Sequence, residues 1–368
     1  MTLRKGLPAK NAATDADDTR LVFRNLFACD AEAEIPWSGV TSPVGVPLVS
    51  STSGMAVTVA PFNAVVKRDG GVVMLANEGP ATVPIQVAPA SNARIDVVCA
   101  RQNDSSSTVS APDSDDEPEL IVIAGVSDVN PVKPLVPEGS VELATVLVPA
   151  GVTAMNAPGV IVTQTAMFAA ASGSPIPVRS SADRDVLKAF QGMRVLNLAT
   201  GCEEKWLDTY SPANPGGATP AGWYPVSGNL PDCSVLSVKT QTMPASVWTL
   251  IAAAWGSPIS TMGTFSAGIL TVDRPGLYDI DLSIFIASLG SIQRIGCQVT
   301  KNSAVADVGV IAKGLVGSQN TVATFARKVP LVAGDRLRAF ASGSSSDITI
   351  QPANAPSQLS VRYVSPAQ

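Results

Sequence analysis

Two closely spaced carboxylate pairs, Asp279 with Asp281 and Glu203 with Glu204, are the residues whose type suits acid–base chemistry on a glycosidic bond. That reaction needs one carboxyl to protonate the leaving oxygen and a second, about 5–9.5 Å away, as nucleophile or base. Both pairs also have an ordinary reading. Asp279 and Asp281 alternate with apolar residues in GLYDIDLSIFIA, on the polar side of an amphipathic strand. Glu203 and Glu204 follow a turn at Thr200-Gly201. A third acidic group, Asp113, Asp115, Asp116, Glu117 and Glu119, has the alternating spacing of a calcium loop. It lacks the Gly and the terminal bidentate Glu of an EF-hand loop, so a solvated loop is expected.

The 368 residues include no histidine, which excludes His bases, Ser-His-Asp arrangements and His-ligated metals. The five cysteines, Cys29, Cys99, Cys202, Cys233 and Cys297, are far apart, odd in number and without a Cys-x-x-Cys. They read as small buried apolar residues, neither a disulfide framework nor a zinc site. No catalytic residue, cofactor or metal is expected, and the chain reads as a non-enzyme. The net charge of −5 leaves no general basic field for nucleic acid. The N-terminal stretch has no apolar core of signal-peptide length, and the apolar runs are too short for a membrane span. Synthesis in a cytoplasm without membrane insertion is the expectation.

The elements that would position such groups are strands. Twenty-nine Gly and 29 Pro cut the chain into short runs rich in Val, Ile and Thr. Residues 1–165 contain seven strand-like runs: VGVPLVSS, GMAVTVAPFNAVV, GGVVMLAN, ATVPIQVAP, ARIDVVCARQ, ELIVIAGV and VELATVLVPAG. They predict a β-sandwich or barrel, preceded by a short helix capped by Asp17 or Asp18 that carries Leu21, Phe23 or Leu26. Residues 166–229 read as a joint, with AAASGSPIP as a flexible linker. A helix follows, capped by Ser181, stopped at Gly192, with Val186, Leu187 and Phe190 on one face. Residues 230–368 predict a second β domain of about ten strands. In it Tyr278, Ile280, Leu282, Ile284 and Ile286 share a buried face, and Phe285 stands apart on the polar one. The fold class expected is therefore all-β.

Several motifs carry a resemblance. GILTVDRPGLYDIDLSIFI, with a Pro-Gly turn at Pro275-Gly276 before Tyr278, resembles the signature strand pair of the complement and tumour-necrosis-factor jelly-roll superfamily. Lys301-Asn302 is similar to that family's Asn turn, with Ser303 where Gly is usual. VPLVAGDRLRAFASG is similar to its late strand pair around Gly334-Asp335, and QLSVRYV to its closing strand. SADRDVLKAFQGMRVLNLATGCEEKWLD with GWYPV resembles a small module of tailed-phage minor tail and fibre proteins. NARIDVVCAR and VELATVLVPAG look like segments of upper baseplate proteins.

These resemblances imply a homotrimeric virion protein of a phage tail tip: a minor tail, baseplate or fibre protein. Its N-terminus would attach to other tail or baseplate proteins, and its C-terminal jelly roll would meet a host-surface glycan or protein. The receptor contacts would lie in the loops Ser288–Gln293, Gly314–Asn320 and Ser342–Ser346, with Phe285 in the trimer contact. The alternatives are a tail glycan depolymerase using the carboxylate pairs, a structural cap without receptor binding, and a cellular jelly-roll module.

Overall fold

A computed structural model describes residues 15–29, 31, 37–41, 47–107, 111–208, 221–286, 294–316, 322–350, 352 and 356–365. The chain divides into two compact units, Met1–Thr200 and Gly201–Gln368, so the expected joint at 166–229 is shared between them. The described residues are nearly all β, as expected.

The first unit runs α1 (Ala16–Phe23), β1 (Gly39–Val40), β2 (Val49–Ser51), β3 (Ala56–Val59), β4 (Phe62–Arg68), β5 (Gly71–Asn77), β6 (Ala81–Pro84), β7 (Arg94–Gln102), β8 (Pro118–Ile123), β9 (Ser140–Val148), β10 (Ile161–Gln164), β11 (Ile176–Val178), α2 (Ser181–Val186) and β12 (Arg194–Asn197). Three small sheets, β1-β4-β5, β2-β3-β6 and β10-β9-β7-β8, share a core that includes Val57, Val59, Val66, Val98, Leu143 and Val146. The run GMAVTVAPFNAVV, expected as one strand, is two strands in different sheets, β3 and β4, parted at Ala60-Pro61. Proline has no N–H for a ladder, so the chain changes sheet there.

Both helices differ from expectation. Asp15, not Asp17 or Asp18, caps α1 by accepting from the Asp18 N–H at 2.7 Å. Asp17 and Asp18 sit in the first turn, where the helix dipole favours a negative charge. Phe23 packs near Val65 and Val72, whereas Leu26 falls in the following tight turn and is exposed. Ser180, one residue before the expected cap, starts α2 and accepts from the Asp183 N–H. That helix stops at Val186 because Leu187 turns extended and buries its own side chain, leaving Val186 exposed and Phe190 beyond the helix. The expected flexible linker is stitched into the unit instead. Ala28 N donates to Ala170 O, Ala169 N to Val40 O and Ser172 N to Leu26 O.

The second unit opens with a hairpin of β13 (Cys202–Leu207) and β14 (Gly222–Gly228), in which Trp206 faces Trp223 edge to face at 5.5 Å. The rest is β15 (Asp232–Leu236), β16 (Gln241–Met243), β17 (Thr249–Leu250), β18 (Ile259–Ser260), β19 (Thr264–Ser266), β20 (Ile269–Thr271), β21 (Gly276–Phe285), β22 (Ile295–Lys301), β23 (Val310–Val316), β24 (Val322–Leu331), β25 (Arg336–Gly343), β26 (Ile348–Ile350) and β27 (Gln358–Ser365). One sheet has the order β18-β15-β27-β21-β24 and the other β19-β20-β25-β22-β23 with β17 beside β25. All these pairs are antiparallel; β19–β20 and β22–β23 are hairpins within one sheet, and the chain crosses between the sheets from β20 to β21, β21 to β22, β23 to β24 and β24 to β25, which is the jelly-roll path. Tyr278, Ile280, Leu282, Ile284 and Ile286 are all buried between the sheets, as their alternation predicts.

Candidate functional site

The family-like motifs converge at one end of the jelly roll, and each has a structural task. Tyr278 is fully buried, donates its hydroxyl to Arg274 O at 2.8 Å and meets Tyr363 edge to face at 5.4 Å. Burial pushes the Tyr278 and Tyr363 phenols well up from their usual value, so both stay neutral. A Cβ on Gly276 would stand 2.3 Å from the Tyr363 ring, which is why this turn takes glycine. Asn302, at positive φ, donates to Asp335 Oδ1 at 2.6 Å and accepts from Arg336 N at 2.8 Å. Asp335 Oδ2 accepts from Val332 N at 2.9 Å and lies 3.5 Å from Lys301 Nζ. Lys301-Asn302 and Gly334-Asp335, 33 residues apart at their hydrogen-bonded members, are thus one welded pair of turns.

The flanks of the three expected receptor loops come together at the opposite end. Phe285 closes β21 against Val322, the start of β24. Ile295, the start of β22, faces both Val316 at the end of β23 and Gly343 at the end of β25. The loop boundaries need adjustment. Ser288 and Gln293, and Asn320, lie outside the described residues. Gly314 is no loop residue but a member of β23 opposite Cys297, and Ser342 is a member of β25 opposite Gly296. Strand pairing simply runs two or three residues further than the small-residue composition suggested. Ser346 does lie in a bend, half-buried, between β25 and β26. That bend is ordered by Ser344 N donating to Arg294 O, Arg294 N to Ser344 Oγ and Ala245 N to Asp347 Oδ1. Phe285 is half-buried on the outer face with its exposed neighbour Val322, and its N–H donates to Ser357 Oγ.

The carboxylates that suggested chemistry lie on paired strands. Asp279 lies in register between Lys328 on β24 and Arg362 on β27. Asp281 faces Ala326 and Ser360. Glu204 is buried, and Glu203 accepts from Ser227 Oγ at 3.0 Å. In the acidic loop, Asp113 binds Arg68 at 2.7 Å and Arg101 at 2.5 Å, while Asp115 accepts from Asn103 and Asp116 from Ser105. The loop is solvated as expected, exposed at 114–119, and is anchored at Asp113 by the two arginines. Nearby Asp104 is raised by burial but lowered further by hydrogen bonds from Arg20 and Ser106, ending at about 2. Among the described residues no cluster of His, Cys, Asp or Glu is arranged to hold a metal ion.

The Arg-x-Asp segment is also a clamp. Arg94 Nε donates to both oxygens of fully buried Asp96, and its other nitrogens donate to Gln86 O and Val87 O. Asp96 accepts a further bond from Gly125 N at 3.0 Å. The cysteines are thiols outside any disulfide; four are buried, and burial raises the Cys99 thiol to about 12 and Cys202 to about 11. No helix among the described residues is long and apolar enough to cross a membrane.

The architecture defines a β protein ending in a jelly roll. No family profile and no curated protein sequence matches the chain. Among solved structures it is similar to the Eiger TNF of S. frugiperda, at 15% identity and a TM-score of 0.29, over 38% of this chain and 95% of that one. It is similar to murine APRIL at 13% identity and a TM-score of 0.29, over 36% of this chain and 98% of that one.

Proposed function

We propose that the protein is a non-enzymatic structural component of a phage tail tip, forming homotrimers in the virion. Its first unit grips neighbouring tail or baseplate proteins, and its jelly roll presents the loop end to a host-surface glycan or protein. The observation that carries this reading is the jelly roll's polarity: welded turns at one end, three converging loop flanks at the other. Rigid strands displaying loops at one end suit recognition, because the scaffold fixes loop positions without fixing their sequences. The paired Phe285 and Val322 on the outer face supply an apolar spot suited to burial between subunits. The tail assignment itself rests on the sequence motifs at 181–226 and 92–151. Glu203, held by Ser227 Oγ, and Glu204, which is buried, favour binding over glycan cleavage.

Light scattering is expected to give three times the 37.7 kDa chain mass, unchanged by a chelator. A monomer, or dissociation on chelation, overturns the trimer. Replacing 287–293, 317–321 and 344–347 together with Gly-Ser stretches is expected to preserve that mass. Particles carrying the replacement should adsorb to host cells at least tenfold more slowly, since weak sites multiplied on a trimer are lost together. Normal adsorption would move receptor reading to another protein.

A further inference from the structure

The segment between β8 and β9 reads Val126-Ser-Asp-Val129-Asn-Pro131-Val132-Lys-Pro134-Leu135-Val-Pro137. Val126, Val129, Val132 and Leu135 recur every third residue and are 81%, 79%, 77% and 93% exposed. Pro131, Pro134 and Pro137 keep the same period and are half-buried. The segment bends at Val129-Asn130 after bridging Ala93 through Asp128, and along it the prolines are half-buried while every third residue stands apolar in water. The strap is fixed in place. Gly125 N donates to Asp96, Asp128 N to Ala93 O at 3.0 Å, Asn130 N to Asp128 Oδ1, and Lys133 Nζ to Glu142 at 2.7 Å. An apolar stripe held rigid in water has lost its chain entropy before any partner arrives.

The same unit also carries a recess. A cavity of about 190 Å³ is lined by Phe27, Cys29, Ile176, Phe190 and Met193, with Phe190 44% exposed at its mouth. An apolar cavity of about 150 Å³ can take up benzene, so this one has room for a branched aliphatic side chain. It does not hold its own strap, because Leu135 is 93% exposed.

We infer that the strap is an intersubunit contact: Leu135 of one copy seats in the Phe27–Phe190 cavity of the next copy around the trimer. This inference rests on the trimer proposed above. The area argument selects the occupant. Four such side chains offer on the order of 400 Å² of apolar surface. That is about half of the ~800 Å² per partner by which a free-standing protein complex holds together. A contact this small works for a partner already tethered close by, at millimolar effective concentration. A second copy of this chain, held by its jelly roll, is such a partner. Knob and recess are different surfaces, so the contact runs head to tail and closes as a ring.

The test uses the native Cys29 in the recess and the full chain. Leu135→Cys is introduced, mild oxidation follows, and the products are run without reductant. The expected result is a covalent ladder ending at trimer, abolished by adding Cys29→Ser or Phe190→Asp while the light-scattering mass stays trimeric. Leu135 is exposed, so its replacement leaves the fold intact, and the other four cysteines are buried. A trimeric mass without cross-links, or cross-links that survive Cys29→Ser, overturns the strap-in-cavity contact and leaves the trimer standing. A monomeric mass overturns the trimer reading and this inference with it.

Discussion

Asp96→Ala is expected to destabilise the first unit by about 3–5 kcal/mol, the cost of leaving one member of a buried ion pair alone. Asp96 is fully buried, and Arg94 beside it is almost so. Removing the carboxylate strands the Arg94 guanidinium with only the Gln86 and Val87 carbonyls, and it frees the Gly125 N–H. For a unit of this size each kcal/mol shifts Tm by about 2–4 °C, so calorimetry should show a fall of roughly 6–20 °C. The double variant Arg94→Met with Asp96→Leu should cost less than the sum of its single changes, with a coupling of about 1–3 kcal/mol. Because Gly125 begins the strap, Asp96→Ala should also speed amide exchange at 126–130. A shift under about 2 °C, or additive single changes, would show that the clamp is incidental.

The second large effect is expected at Asp335. Its two oxygens accept from Asn302 Nδ2 and Val332 N, and it is nearly inaccessible to water. Hydrogen bonds to a charged acceptor are worth about 1.5–3 kcal/mol each, so losing two in Asp335→Ala should cost the second unit about 3–6 kcal/mol. Lys301 is partly exposed and regains water, so it adds little to the loss. Asp335→Asn keeps one acceptor and should lose about half as much. Since Asn302 holds a positive φ against this carboxylate, Asn302→Gly should be milder than Asp335→Ala. If Asp335→Ala melts with the parent chain, the two turns are not welded through it.

The strands of the jelly roll were legible because a buried face repeats every second residue, and β21 obeys that rule from Tyr278 to Ile284, with Ile286 just beyond it continuing the face. Sheet membership was not legible where Pro61 divides one apolar run into β3 and β4, nor where a turn at Ala267-Gly268, both at positive φ, folds GTFSAGILTVD into the hairpin β19–β20. Helix α2 failed its apolar periodicity because Leu187 buries itself better in extended form. The clamps were hidden for a different reason. Arg20 reaches Asp104 across 84 residues and Arg68 reaches Asp113 across 45, and spacing in sequence carries no trace of such partners. The Arg94–Asp96 pair was visible as a motif, but only burial reveals it as structure. The strap's period of three was in plain sight in the sequence. It matches neither the 3.6-residue period of a helix nor the two-residue period of a strand, so it marks neither element.

The jelly roll's two ends differ in what change they can absorb. Gly276, Tyr278, Asn302, Asp335 and Tyr363 set strand register from one end, and none of them borders the chain segments at 287–293, 317–321 or 344–347. Changes confined to the stretches that follow Phe285 and Val316 are therefore expected to leave these contacts in place, since the contacts lie at the opposite ends of β21 and β22. Loss of the Asn302–Asp335 weld should thus be felt by every strand that starts or ends beside it, whereas a change beyond Phe285 should be felt by its own two flanks.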